Sequence, residues 1–86
     1  MVISYSRIFK KMFQKRSLWL HDRFEERVLI FIQNKHHPLL QNHALDGEWA
    51  GCRSINITGD VRAVFEEVAN DHIEFVAMGT HSELYS

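Results

Sequence analysis

His43 and His81 stand 38 positions apart in the chain, with Asp60 and Arg62 between them and Tyr85 four residues beyond the second. Histidine's unperturbed pKa, about 6.5, lets it give or take a proton near neutral pH. Arginine offers a planar fork of donors that matches phosphate oxygens. Together these types suit metal-free cleavage of a ribonucleic phosphodiester. One imidazole would take the 2′-OH proton, the other would protonate the departing 5′-oxygen, and a guanidinium would meet the charge building on the phosphate. Tyr85 is able to stack on a base. Arg53 and Asn56 are further phosphate-binding candidates, and Lys10 and Lys11 offer more positive charge. Structural readings stand beside these. A histidine at a strand end is more often exposed or structural than catalytic. Asp60 follows Gly59 and also reads as a turn residue. Arg53 and Arg62 have acidic neighbours to pair with.

For the two histidines to meet, the segment between them must fold back on itself. Arg53–Ile57 alternates apolar and polar residues, and β-rich runs recur at Val61–Val68 and Ile73–Met78. Gly59-Asp60 and Asn70-Asp71 separate the runs, which predicts three antiparallel strands joined by tight turns. A period of two puts Ile55 and Ile57 on a covered face and Ser54, Asn56 and Arg62 on a solvent face. Such a meander is expected to bring the start of its first strand and the end of its third together, with Asp60 opening the middle strand. Trp49 is expected to plug the end of the helix–sheet core, with glycines relieving strain nearby.

The first half reads differently. Met1–Tyr5 alternates as a strand, and Ser4 or Ser6 is placed to cap a helix whose apolar set is Ile8, Phe9, Met12 and Phe13. Ser17 opens a longer helix to about Asn34, with Leu20, Phe24, Val28, Phe31 and Ile32 as its stripe. The short link between the helices predicts an antiparallel hairpin. Pro38 ends the helical stretch.

Eighty-six residues with 45% hydrophobic content make one domain with a single core. One cysteine, Cys52, excludes an internal disulfide and reads as packing. No apolar run reaches the ~20 residues that span a bilayer, and the start lacks a signal-peptide apolar region, so a cytoplasmic chain is the expectation. The net charge of −1 argues mildly against nucleic-acid binding. Its distribution does not: residues 1–45 hold eight Lys and Arg against three Asp and Glu, whereas residues 46–86 hold two against eight. A basic surface on the first half is implied. His36-His37 has no Cys, Asp or Glu at ligand spacing, so no metal site is expected.

Three blocks carry a resemblance: Leu-Asp-Gly-Glu-Trp-Ala-Gly-Cys-Arg (Leu45–Arg53), Gly-Asp-Val-Arg-Ala-Val-Phe (Gly59–Phe65) and Gly-Thr-His-Ser-Glu-Leu-Tyr (Gly79–Tyr85). In order and spacing they resemble the YafQ-type branch of the RelE/ParE toxin superfamily, and the chain's size and helical first half agree. The resemblance implies an α+β, RelE-like domain over residues 1–86, with two N-terminal helices on one face of a mostly antiparallel sheet of about four strands. It implies the toxin of a type II toxin–antitoxin system, an endoribonuclease that cuts mRNA in the ribosomal A site without a cofactor. The implied partners are a cognate antitoxin, in a hetero-oligomeric complex, and the ribosome with its mRNA. The family's active-site positions fall on His43, Asp60, His81 and Tyr85. Arg62 looks like the phosphate-binding arginine of RelE-type toxins. Ser54 and Asn56 depart from the family pattern, which has an aspartate and a histidine there. Asn56 cannot exchange a proton near neutral pH. Two other readings follow from the same resemblance: a ParE-like toxin that binds DNA gyrase, and a toxin that has lost catalysis but keeps antitoxin binding.

Overall fold

The computed structural model describes residues 1–85. It has the expected α+β architecture, with a sheet of five strands rather than about four. The chain runs through β1 (Val2–Tyr5), α1 (Arg7–Gln14), α2 (Leu18–Gln33), β2 (His43–Ala44), β3 (Arg53–Asn56), β4 (Val61–Ala69), β5 (His72–Thr80) and α3 (His81–Tyr85). Single 3₁₀ turns at Pro38–Leu40 and Gly47–Trp49 flank the two-residue β2. The sheet order is β1-β5-β4-β3-β2, antiparallel except where β1 lies parallel to β5. No described helix is long and apolar enough to cross a membrane.

Serines start both long helices. Ser6 Oγ accepts from Phe9 N at 3.0 Å and Ser17 Oγ from Leu20 N at 3.2 Å, each satisfying an N–H that lacks a partner within the helix. Along α2, Leu20, Phe24, Val28 and Phe31 are buried at helical spacing. Ile32 is not: one residue past Phe31 it turns away from the sheet and is 48% exposed. Ile8 beside Phe9 is likewise 65% exposed, so both leave the expected apolar sets. Phe9 and Phe13 join the main core while Met12 packs with a second cluster, which makes α1 a bridge between the two. His21 fastens the helix hairpin, its Nε2 lying 2.7 Å from Phe13 O and its ring stacked on Phe13.

The main core lies between the helices and one face of the sheet, and Phe75 is at its centre. Its ring lies within 6.3 Å of the ring centroids of Tyr5, Phe9, Phe24, Phe31 and Phe65. β5 carries an irregularity here: Val64 pairs with Ala77 but Phe65 with Phe75, leaving Val76 without a partner. The extra residue shifts the alternation. Phe75 therefore belongs to the helix-side core while Ala77 joins Val64, Leu45 and Leu84 on the opposite face. That face is covered by α3, not open to solvent as the alternation alone suggests, and Ser54 is fully buried there. Trp49 packs with this second cluster and not against the helix–sheet core. Its indole N–H needs an acceptor and finds one in Leu84 O at 2.9 Å. Gly47 and Gly51, at φ +64° and +92°, take the backbone through this turn. Cys52 packs beside it, and burial, with Glu66 nearby, pushes its thiol pKa up.

Because so many rings meet at Phe75, Phe75→Ala is expected to cost about 3–5 kcal/mol, a large share of the ~5–15 kcal/mol typical of a domain. Urea unfolding followed by circular dichroism checks this; a loss under about 1 kcal/mol would mean the cluster repacks around the gap.

Candidate active site

The face of the sheet opposite α1 and α2 holds, beside α3, a cavity of about 460 Å³ lined by His43, Ala44, Leu45, Asp46, Arg62, His81 and Tyr85. Four residues proposed from the sequence thus share one space: His43, Arg62, His81 and Tyr85. A plain three-strand meander does not bring them there, because the start of its first strand and the end of its third lie at opposite ends. The additional strand does. β2 runs antiparallel to β3 and pairs His43 with Ser54, beside the row Asn56, Arg62 and Gly79 that leads into His81.

Arg62 is the best-held of the four. Its Nε donates to Ser54 Oγ at 2.8 Å, and one Nη donates to Gln41 O at 2.8 Å and reaches Ser54 O at 3.3 Å. Burial pushes its pKa down, opposed by the Tyr85 phenol nearby. An arginine keeps its charge in either case. Ser54 thus orients the guanidinium. His43 is exposed on β2, its Nδ1 lying 2.8 Å from Gln41 O.

His81 and Tyr85 are presented by α3. Thr80-His81-Ser82-Glu83 is a capping box: Glu83 N donates to Thr80 Oγ1 at 3.2 Å and Thr80 N donates to Glu83 Oε1 at 2.7 Å. Arg16 adds an ion pair to the same Oε1 at 2.8 Å. These bonds, the Thr80 amide above all, lower the Glu83 pKa to about 2. Gly79 admits the fold-back, since a Cβ there would sit 3.1 Å from the Glu83 side chain. The His81 and Tyr85 rings lie 4.7 Å apart at 56°. The Tyr85 hydroxyl is buried with no hydrogen-bond partner among the described residues.

The remaining sequence candidates lie elsewhere. Asp60 does not open β4. It sits in the preceding turn, exposed, where Thr58 Oγ1 accepts from both Asp60 N and Val61 N. Asn56 pairs with Arg62 across the ladder but does not line the cavity. Arg53 alternates with Ser54, which puts it on the side of Ile55, and its Nε donates to Asn42 Oδ1 at 2.8 Å. Lys10 and Lys11 line a separate groove of about 680 Å³ between α1 and α2, floored by Tyr5, Phe9, Phe13 and Phe24. In turn, the carboxylate at the cavity is Asp46, which the sequence reading passed over. The Thr80–Glu83 box was legible as a motif. The Gln41 carbonyl carries no residue-type signal. Among the described residues no group of three His, Cys, Asp or Glu is arranged to hold a metal ion.

A family model described as the bacterial toxin of type II toxin–antitoxin system, YafQ, matches residues 1–86. Among solved structures, a copper-bound mutant toxin from Helicobacter pylori is 31% identical, with 99% of each chain covered and a TM-score of 0.75. YafQ from E. coli strain BL21(DE3) is 20% identical, covering 98% of this chain and 97% of that one at a TM-score of 0.79. YafQ in the E. coli DinJ–YafQ complex superposes at 0.71 with 20% identity, covering 98% and 97% of the two chains. No curated protein sequence matches.

The low pKa of Glu83 makes the seat of α3 sensitive to acid. A depressed carboxylate stabilises the fold above its ordinary value of 4.5, and the contribution is lost as pH falls toward 2. With Trp19 replaced by Phe, Trp49 emission reports on Leu84. It is expected to change across that window, and Glu83→Ala is expected to show the acid-form emission at neutral pH with its far-ultraviolet dichroism unaltered. Emission in Glu83→Ala identical to the parent would remove Glu83 as the anchor.

Proposed function

The chain belongs to the YafQ family of bacterial toxins of type II toxin–antitoxin systems, and from that membership together with the cavity on the face opposite α1 and α2 we propose that it is a metal-independent endoribonuclease that cuts mRNA in the ribosomal A site. The observation that carries this reading is the convergence of two imidazoles, one guanidinium and one phenol on a single space of about 460 Å³.

The reaction needs little else. One of His43 and His81 takes the proton of the ribose 2′-OH, and the oxygen attacks the adjacent phosphorus. The other protonates the 5′-oxygen as the P–O bond breaks, leaving a 2′,3′-cyclic phosphate and a 5′-hydroxyl. Arg62, already oriented by Ser54 and Gln41 and partly withdrawn from water, meets the charge that builds on the phosphate. Tyr85 offers a ring against the neighbouring base. The carboxylate beside the imidazoles is Asp46; Asp60, in its exposed turn, bounds the strand that carries Arg62. Ser54 supports activity rather than its loss, because it supplies the oxygen that holds Arg62 Nε.

The ribosome supplies the RNA path in this reading, which makes a net charge of −1 tolerable. The cognate antitoxin is the second partner; a DinJ–YafQ pair has been solved as a toxin–antitoxin complex. Its acidic segment would lie along the basic first half, where Arg7, Lys10 and Lys11 rim the groove between α1 and α2. A cytoplasmic site of action follows from the substrate.

End mapping of a translated mRNA in a ribosome-containing extract checks the proposal. Wild type is expected to create new ends at A-site codons. His81→Ala and His43→Ala are each expected to lose about 10²–10⁴ of that rate. Absence of cleavage by folded wild type would overturn the nuclease reading and direct attention to gyrase or antitoxin binding alone.

A further inference from the structure

Gln41 stands in the left-handed region, at φ 46° and ψ 47°, a conformation that costs any residue with a Cβ. Its side chain is exposed, so the position is not held for what the side chain packs against. The flanks hold it instead. Gln41 N donates to Pro38 O at 3.3 Å, closing the 3₁₀ turn, and the preceding Leu40 is fully buried. The following Asn42 is tied on both sides, donating to Lys35 O at 3.0 Å and accepting from Arg53 Nε at 2.8 Å. Strain retained this way, beside a cavity holding two histidines and an arginine, points to the group it aims.

That group is the Gln41 carbonyl. It lies 2.8 Å from His43 Nδ1 and 2.8 Å from an Arg62 Nη. A carbonyl only accepts, so the short contact requires a proton on Nδ1. The same Arg62 nitrogen lies 3.3 Å from His43 Nδ1. A guanidinium only donates, so it cannot bond to an Nδ1 that carries a proton. The two neighbours thus demand opposite tautomers. With the carbonyl in place, neutral His43 has its proton on Nδ1 and its lone pair on Nε2. With the carbonyl withdrawn, Arg62 would donate to Nδ1 and the proton would move to Nε2.

We propose that Gln41 is a positioning residue whose left-handed backbone locks His43 with its proton on Nδ1 and holds Arg62 beside it, so that every proton His43 exchanges with substrate passes through Nε2. The proposal deepens the nuclease reading and rests on it for the role of His43. It applies whether His43 serves as base or as acid, because a protonated imidazole keeps the same Nδ1–H bond and donates from Nε2. Arg53, which does not reach the cavity, enters the same arrangement indirectly: it donates to Asn42, and Asn42 donates to Lys35 O across the turn.

The test separates the backbone from the side chain. Glycine and asparagine both adopt the left-handed conformation, whereas a β-branched residue resists it. Full-length protein labelled with ¹⁵N at histidine, at a pH where the imidazoles are neutral, reports the tautomer through its ring-nitrogen shifts and long-range proton couplings. Wild type, Gln41→Gly and Gln41→Asn are expected to show His43 with the proton on Nδ1. Gln41→Val is expected to show a mixture or the Nε2–H form. In the cleavage assay, Gln41→Val should lose about 100-fold or more in kcat with little change in KM, on the scale of an acid–base group withdrawn. Gln41→Gly should stay within a few-fold of wild type. An Nε2–H form in wild type overturns the proposal without any variant, and so does a wild-type tautomer in Gln41→Val. Should wild type cleave nothing while the tautomers follow the expected pattern, the positioning stands and the nuclease reading falls.

Discussion

A guanidinium partly withdrawn from water must be surrounded by oxygens, and meeting that demand for Arg62 shapes this face of the protein. Its fork is satisfied by a buried hydroxyl on the neighbouring strand and by a main-chain carbonyl from the loop before β2. The first requires Ser54 to sit under the guanidinium with no exposure at all. The second requires the loop to close tightly enough for Gln41 to adopt a left-handed conformation. An orphaned charge at this depth would be costly. The loop, the two-residue strand and the buried serine therefore form one arrangement.

The other wall of the cavity is built on a different principle. α3 is only five residues long, too short to be stable alone, so it depends on what it docks against. Leu84 buries with Val64 and Ala77, Trp49 donates to its last turn, and Glu83 ties its first turn to Thr80 and to Arg16 just past α1. The two histidines are thus split between a strand ladder and a clipped helix. Tyr85, on the same helix, brings its phenol close enough to act on the Arg62 guanidinium.

Behind the sheet, the phenylalanine cluster fixes the platform. Helix-side packing and the cavity face are coupled through the irregularity at Val76 in β5, which lets one strand send Phe75 to the core and Ala77 to the opposite side. The basic residues of α1 lie on the helix side, with Lys10 and Lys11 at their own groove and away from the cavity. The net charge of the chain hides this arrangement: Lys10 and Lys11 and the cavity side chains line separate spaces.

The sequence alone determined the parts governed by local rules. The serine caps, the Leu20–Phe31 stripe and the β-rich runs were readable because helical and strand periodicities are properties of neighbouring residues. His43, Arg62, His81 and Tyr85 were readable because their chemistry belongs to their side chains and their setting to three motif blocks. Asp60 was misplaced by one residue, since a turn and a strand start look alike beside a glycine. Only the tertiary structure decided the rest. The β2 pairing, the shifted alternation at Val76, the burial of Ser54, the seat of Trp49 and the direction of the Gln41 carbonyl all depend on which distant segments lie side by side. A carbonyl is the same in every residue, so its role comes from where the fold points it.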